Sequence, residues 1–130
     1  MRIQMRLSQE SELILRKEKA DYLKKEDISV TYGWLVNQIT KKVFPLAQKI
    51  DWEKIRTLQL QLVDDGKAND CEYNTTLNLE QTVVNNIVTM QIMFKDIFEA
   101  ARVHKAFVVR MILRANYLIN INERIFTEEE

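Results

Sequence analysis

Two side chains could lead nucleophilic chemistry, Cys71 and His104, and each is the only residue of its kind in the chain. A thiol held beside an imidazole is the Cys–His arrangement that generates a thiolate nucleophile. Nothing in the local sequence orients either group, so the simpler reading is a loop cysteine and a solvated histidine. One histidine excludes a His-rich metal site built within one chain. The two glycines, Gly33 and Gly66, lie too far apart to make a phosphate-cradling loop. Asp64-Asp65-Gly66 has the composition of a turn, and Glu128–Glu129–Glu130 that of a solvated tail. These features point away from an enzyme, with no cofactor and no metal site expected. A different chemistry is written at the start of the chain, where Arg2, Gln4 and Arg6 alternate with Ile3, Met5 and Leu7. A period of two puts the guanidinium and amide groups on one face of a short strand and the apolar groups on the other. Such a polar face forms hydrogen bonds rather than breaking covalent ones. Arginine on an exposed strand also guards an edge against aggregation, a purely structural role.

The elements that must position this strand follow from the same kind of reading. Ser8, or Ser11, can cap a helix whose first turn carries Glu10 and Glu12 and which runs to Lys25. Leu13, the Lys17 stem, Ala20 and Leu23 or Lys24 are its expected inward face. Asp27-Ile28-Ser29 breaks it, and Ser29 or Thr31 caps a second helix that turns Leu35, Val36, Ile39 and Val43 inward until Pro45 ends it. Asp51 then caps a helix through about Leu62, with a strand from Thr57 as the alternative, because Leu58, Leu60 and Leu62 alternate with glutamines. Residues 64–73 are polar and read as a loop. Thr75, Leu77 and Leu79 make a second short alternating strand. A helix follows over Gln81–Phe98, with Val84, Ile87 or Val88, Gln91, Phe94 and Phe98 along one stripe. After a break near Ala100–Val103, a last helix runs to about Ile125.

Composition agrees with this helical bias. The 130 residues suit one domain or two small ones, 46% are apolar, and there are two glycines and one proline. Nineteen Lys and Arg balance nineteen Asp and Glu, so the whole chain is neutral. The charge is unevenly spread: residues 1–50 hold ten bases against six acids, and residues 51–80 hold three against seven. The basic part is the one with the alternating strand. Ala106–Ile121, the most apolar tract, is interrupted by Arg110 and Arg114 and is too short to span a bilayer. With no signal-like apolar stretch at its charged start, the chain is expected to be cytoplasmic, with no membrane partner.

A short strand, a four-turn helix, a tight break and a second helix within residues 2–44 resemble the ribbon-helix-helix family of DNA-binding proteins, the MetJ and Arc type. The likeness rests on Arg2-Ile3-Gln4-Met5-Arg6-Leu7, the Ser8–Lys25 helix and Ser29-Val30-Thr31 ahead of the next helix. In that family two ribbons pair antiparallel and enter the major groove of double-stranded DNA. The resemblance implies that Arg2, Gln4 and Arg6 meet base edges, arginine suiting guanine O6 and N7, and glutamine adenine N6 and N7. It further implies that the helix start at Ser29, Val30 and Thr31 meets a phosphate. The class expected is a transcriptional regulator or an accessory factor of a plasmid or mobile element.

A shift of 72 residues sets Met5-Arg6-Leu7-Ser8-Gln9 on Leu77-Asn78-Leu79-Glu80-Gln81 and Tyr22 on Phe94. One more residue at the interhelical break sets Val30, Gly33, Trp34, Leu35, Val36 and Ile39 on Val103, Ala106, Phe107, Val108, Val109 and Ile112. On this pattern one chain supplies both ribbons as a pseudo-dimer. The second unit would offer Thr76 and Asn78 to bases and Arg102, His104 and Lys105 to a phosphate. First-helix agreement is poor, with Leu13 against Asn85 and Arg16 against Val88. The expected fold is therefore mainly α with a short β ribbon: a ribbon-helix-helix-like unit at 1–48, a helical spacer and polar loop at 49–73, and at 74–130 either a second such unit or a helical oligomerisation or partner domain. In the latter case the ribbons pair between chains in a homo-oligomer, and Met90, Met93, Phe94, Ile97 and Phe98 form a partner surface. A winged helix-turn-helix with a Thr57–Leu79 hairpin as wing is a third DNA-binding architecture. A small helical inhibitor or adaptor that binds a protein is the reading from a different class.

Overall fold

The computed structural model describes residues 1–60 and 73–127, so the Asp-Asp-Gly turn, Cys71 and the terminal glutamate run lie outside the described residues. Within them the fold is mainly helical, with one two-stranded antiparallel sheet. Strand β1 (Arg2–Leu7) leads into α1 (Gln9–Glu26) and α2 (Tyr32–Val43). A 3-10 turn at Phe44–Leu46 and the short α3 (Trp52–Thr57) follow. Strand β2 (Tyr73–Asn78), α4 (Gln81–Ile97) and α5 (Lys105–Asn120) complete the order. No helix among the described residues is long and apolar enough to cross a membrane.

The first strand finds its partner in the same chain. Arg2 lies opposite Asn78, Gln4 opposite Thr76 and Arg6 opposite Asn74. Leu79 N donates to Met1 O at 2.9 Å and Met1 N to Leu79 O at 2.8 Å, which extends the ladder by one pair. Alternation then decides the faces. Met5, Leu7, Leu77 and Leu79 are buried, whereas Arg2, Gln4, Arg6, Asn74, Thr76 and Asn78 are exposed.

Helices cover the inner face of the ribbon in a crossed arrangement. Strand β1 packs on α5 and β2 on α2; α2 packs against α5; α1 rests on α2 and α5, and α4 on the same two. Leu35, Val36, Ile39 and Val43 of α2 are buried as the sequence predicts, as are Val108, Val109 and Ile112 of α5, the helix on which α2 packs. One continuous core therefore joins residues from both ends of the chain. Caps fall where side chains can reach backbone donors. The Ser8 hydroxyl accepts from Ser11 N at 3.1 Å and the Thr31 hydroxyl from Trp34 N at 3.1 Å, so Ser11 and Ser29 are not the caps.

Several sequence expectations give way to tertiary packing. The buried face of α1 is Ser11, Glu12, Ile14 and Leu15, while Lys17, Ala20 and Leu23 are exposed, because only the N-terminal half of α1 lies over the core. Helix α3 ends at Thr57 rather than near Leu62, and residues 58–60 are neither helix nor strand. Its last turn is closed by a distant side chain: Arg114 Nε donates to Ile55 O at 2.9 Å and Nη2 to Leu58 O. With β2 paired to β1, no wing forms from residues 57–60. Tyr73, expected in the loop, already belongs to β2. Helix α5 stops at Asn120 instead of Ile125 because Asn122 turns left-handed (φ 61°), and the chain then folds back. There Ile125 is buried, Asp51 N donates to Ile125 O at 2.7 Å and Thr127 N to Lys49 O at 2.7 Å. Of the Ile87 or Val88 alternative on α4, Ile87 is buried and Val88 exposed; Gln91 is half-buried, its amide donating to Val103 O at 2.8 Å. In the stripe considered as a partner surface, Met90 and Phe94 are fully buried and Met93, Ile97 and Phe98 half-buried.

Candidate nucleic-acid interface

The outward face of the sheet is a pair of three-residue rows, Arg2–Gln4–Arg6 on β1 and Asn78–Thr76–Asn74 on β2. Side chains directly across an antiparallel pair stand about 4.5–5.5 Å apart at Cβ, so the six make one contiguous surface. Neither strand contains an acid. The surface offers two fixed positive charges, guanidinium and amide donors, and amide and hydroxyl acceptors. It can form many directional hydrogen bonds to a polyfunctional, electron-rich ligand, and it has no group suited to general acid–base or nucleophilic chemistry. Among the described residues no group of three or more His, Cys, Asp and Glu could hold a metal ion.

At one end of the ribbon, a concavity is lined by Arg2, Lys19, Thr31, Tyr32, Gly33, Thr76 and Asn78. The N-terminus of α2 opens into this concavity, and two cations stand at its rim. Tyr32 is fixed there by donating to Glu12 Oε1 at 3.1 Å, and Glu12 is itself paired with Arg16 at 2.6 Å. Burial, then the Glu12 charge, raises the Tyr32 phenol above its ordinary value, which keeps it a donor. Lys19 Nζ lies 5.7 Å from the Tyr32 ring centre.

Two contacts hold α2 against β2. Asn37 is nearly buried; its amide donates to Asn78 O at 3.2 Å, and its oxygen accepts from Glu80 N at 3.0 Å. Gly33 makes the close approach possible, since a Cβ there would sit 2.8 Å from Asn78 N and 3.0 Å from Asn78 O. That obstacle is backbone and cannot rotate away. Gly33→Ala should therefore destabilise the fold by about 1–3 kcal/mol, the usual cost of overpacking. Urea denaturation would measure it, and a change of less than about 0.5 kcal/mol, the size usual at neutral sites, would mean that α2 and β2 do not press together.

The residues singled out in the sequence fall in three places. Arg2, Gln4, Arg6, Thr76 and Asn78 come together on the ribbon. Ser29 and Thr31 are exposed ahead of α2, but the Val30 side chain is buried, leaving only its backbone for a ligand. Arg102 and His104 are exposed and Lys105 half-buried at the start of α5, where His104 is the N-cap residue without a side-chain cap bond. Asn74, Lys19 and Asn37 were not anticipated. Asn74 continues the alternation of Thr76 and Asn78 one step toward the chain start and could have been read; Lys19 and Asn37 are brought in by the fold alone. Compared with known protein families, with curated proteins and with solved structures, the chain matches none.

Proposed function

We propose that this chain is a sequence-specific double-stranded DNA-binding protein that reads the major groove with the β1–β2 ribbon, as a ribbon-helix-helix arrangement built twice within one chain. The observation that carries the reading is the acid-free outward face of Arg2, Gln4, Arg6, Asn74, Thr76 and Asn78 on a two-stranded sheet. A ribbon of this width fits the major groove, where arginine and amide side chains distinguish base pairs. The concavity at the α2 start, with Arg2 and Lys19 beside helix N–H groups, has the character of a phosphate contact. A regulator of transcription, or an accessory factor of a plasmid or mobile element, is the role in keeping with such an activity.

Internal correspondences support the doubled arrangement. Asp27 and Glu99, 72 residues apart, are both left-handed, at φ 57° and 50°, just past the ends of α1 and α4. Tyr22 meets Trp34 edge to face at 5.1 Å, and at the corresponding positions Phe94 meets Phe107 at 6.0 Å. Buried Leu15 corresponds to buried Ile87, and buried Val30 to buried Val103. Exchanging the two strand-helix-helix segments turns β1 on α5 into β2 on α2, α1 on α5 into α4 on α2, and α1 on α2 into α4 on α5, all of which pack together.

The test is a binding titration of Gln4→Ala and Arg6→Ala on specific and scrambled duplexes at two salt concentrations. Each should weaken specific binding by roughly 1–3 kcal/mol and change stability by less than about 0.5 kcal/mol. Lys19→Ala should lower affinity on all sequences alike and flatten the salt dependence. A folded Arg2→Ala, Gln4→Ala, Arg6→Ala triple variant with unchanged DNA binding would rule the reading out. One observation favours the protein-binding alternative: Leu23, Ile28 and Trp34 leave apolar surface exposed at the α1–α2 corner. Absence of duplex binding at low salt would turn attention there.

A further inference from the structure

Both strands of the ribbon belong to one chain, and their outward rows differ in chemistry. The β1 row is Arg2, Gln4 and Arg6; the β2 row facing it, pair by pair, is Asn78, Thr76 and Asn74. All the charge of the ribbon face is on β1, and β2 carries only amides and a hydroxyl. Two copies of one chain would present identical rows related by a two-fold axis and so match a palindrome. Here an axis between the strands would exchange Arg6 with Asn78 and Arg2 with Asn74, which are not equivalent ligands. The two helix starts also differ in their caps, though Arg102 and Lys105 put cations near α5 as well. That of α2 is side-chain capped by Thr31 and flanked by Arg2 and Lys19, and that of α5 begins at His104 without a side-chain cap.

Resting on the proposed reading of the ribbon as a groove reader, we infer that one copy of this chain binds a non-palindromic DNA site in a single orientation, with a guanine-bearing half under β1 and an adenine–thymine-bearing half under β2. Arginine pairs bidentately with guanine O6 and N7, whereas asparagine pairs with adenine N6 and N7 and the threonine methyl packs on the thymine methyl. Arg2 and Arg6 are four residues apart on one extended strand, about 13 Å at roughly 3.3 Å per residue. At about 3.4 Å per base step along one strand, that distance places their guanines roughly four base pairs apart. Gln4 between them faces the intervening pairs. Neither row can substitute for the other, because Asn and Thr lack the fork of donors that guanine rewards.

Selection of bound duplexes from a random pool with the full chain tests this, followed by titration and stoichiometry on the recovered site. The expected result is an asymmetric consensus bound by one chain per site. Arg2→Ala and Arg6→Ala should each erase guanine preference at one position of one half, and Asn74→Ala and Asn78→Ala should relax the other half only. An inverted repeat built from the guanine-bearing half should bind about 5- to 150-fold more weakly than the selected site, the range for one lost base contact. A palindromic consensus, or two chains on one site, would overturn the inference while leaving ribbon readout standing. Failure to bind any duplex at low salt would overturn both.

Discussion

Replacing Arg114 by Met should destabilise the protein by about 3–5 kcal/mol, the cost of removing one partner from a buried charge pair. Arg114 sits on α5 with its side chain almost wholly buried. Its guanidinium joins α1 to the end of α3. Nη1 donates to both carboxylate oxygens of Glu10 on α1 at 2.8 Å, Nε to Ile55 O, and Nη2 to Leu58 O. Removing it leaves the Glu10 carboxylate with Arg110, 3.8 Å away, and strips two carbonyls at the end of α3 of their donor. Methionine keeps most of the volume, so the loss reports polar groups rather than a cavity. Arg114→Lys should recover only part of it, because a single ammonium cannot span three acceptors in the geometry of a planar fork. Adding Glu10→Gln to Arg114→Met should restore part of the stability by removing a carboxylate left with only the more distant Arg110. Urea midpoints at unchanged m-values would measure these differences. A loss under about 1 kcal/mol, typical of exposed ion pairs, would mean that the guanidinium is solvated.

Arg114 also shows why parts of this fold were hidden in the sequence. The end of α3 is set by a residue 56 positions downstream of Leu58, and the local glutamine–leucine alternation carries no trace of it. Strand β1, by contrast, was fully legible, because alternation over six residues fixes both the extended backbone and the face of each side chain. The same rule located β2 one residue late, from Asn74 rather than Tyr73, but Asn74 opposite Arg6 was not singled out as a readout residue. On α1 the helix was correct and its buried face was wrong. Helix formers such as Lys17, Ala20 and Lys24 fit any face, and the choice between Leu13 and Ile14 was made by the position of α5 and α2. The α2 starting point was legible through Thr31, whereas its seating on β2 depends on Gly33 and Asn37, whose roles need both partners in view. The ribbon half of the candidate site was therefore available to a reader of one dimension, and the concavity with Lys19 was not.

The residue with the densest aromatic environment lies far from that ribbon, and this separates stability from recognition. Phe94 is fully buried, with ring centres of Trp52, Phe98 and Phe107 at 4.9, 5.6 and 6.0 Å, all edge to face. Trp52 is held in turn by its indole N–H, which donates to Ala47 O at 2.9 Å. Phe94 thus ties α4 to α3 and α5 at once. Phe94→Ala should cost about 3–5 kcal/mol, the range for deleting a buried aromatic ring. The three ring contacts, at about 0.5–1.5 kcal/mol each beyond area, push the value toward the upper end. A small domain commonly holds only about 5–15 kcal/mol, so the variant should stay folded at low temperature while melting much earlier. Phe94 is thirteen residues into α4 from Gln81, roughly 20 Å along the helix at about 1.5 Å per residue. Its ring partners among the described residues, Trp52, Phe98 and Phe107, all lie outside β1 and β2. DNA affinity of the folded fraction, titrated well below the melting transition with circular dichroism on the same sample, should therefore stay within about two-fold, less than about 0.5 kcal/mol. The opposite profile, a small stability change with a large loss of DNA affinity, would place the recognition surface on the α4–α5 face and not on the ribbon.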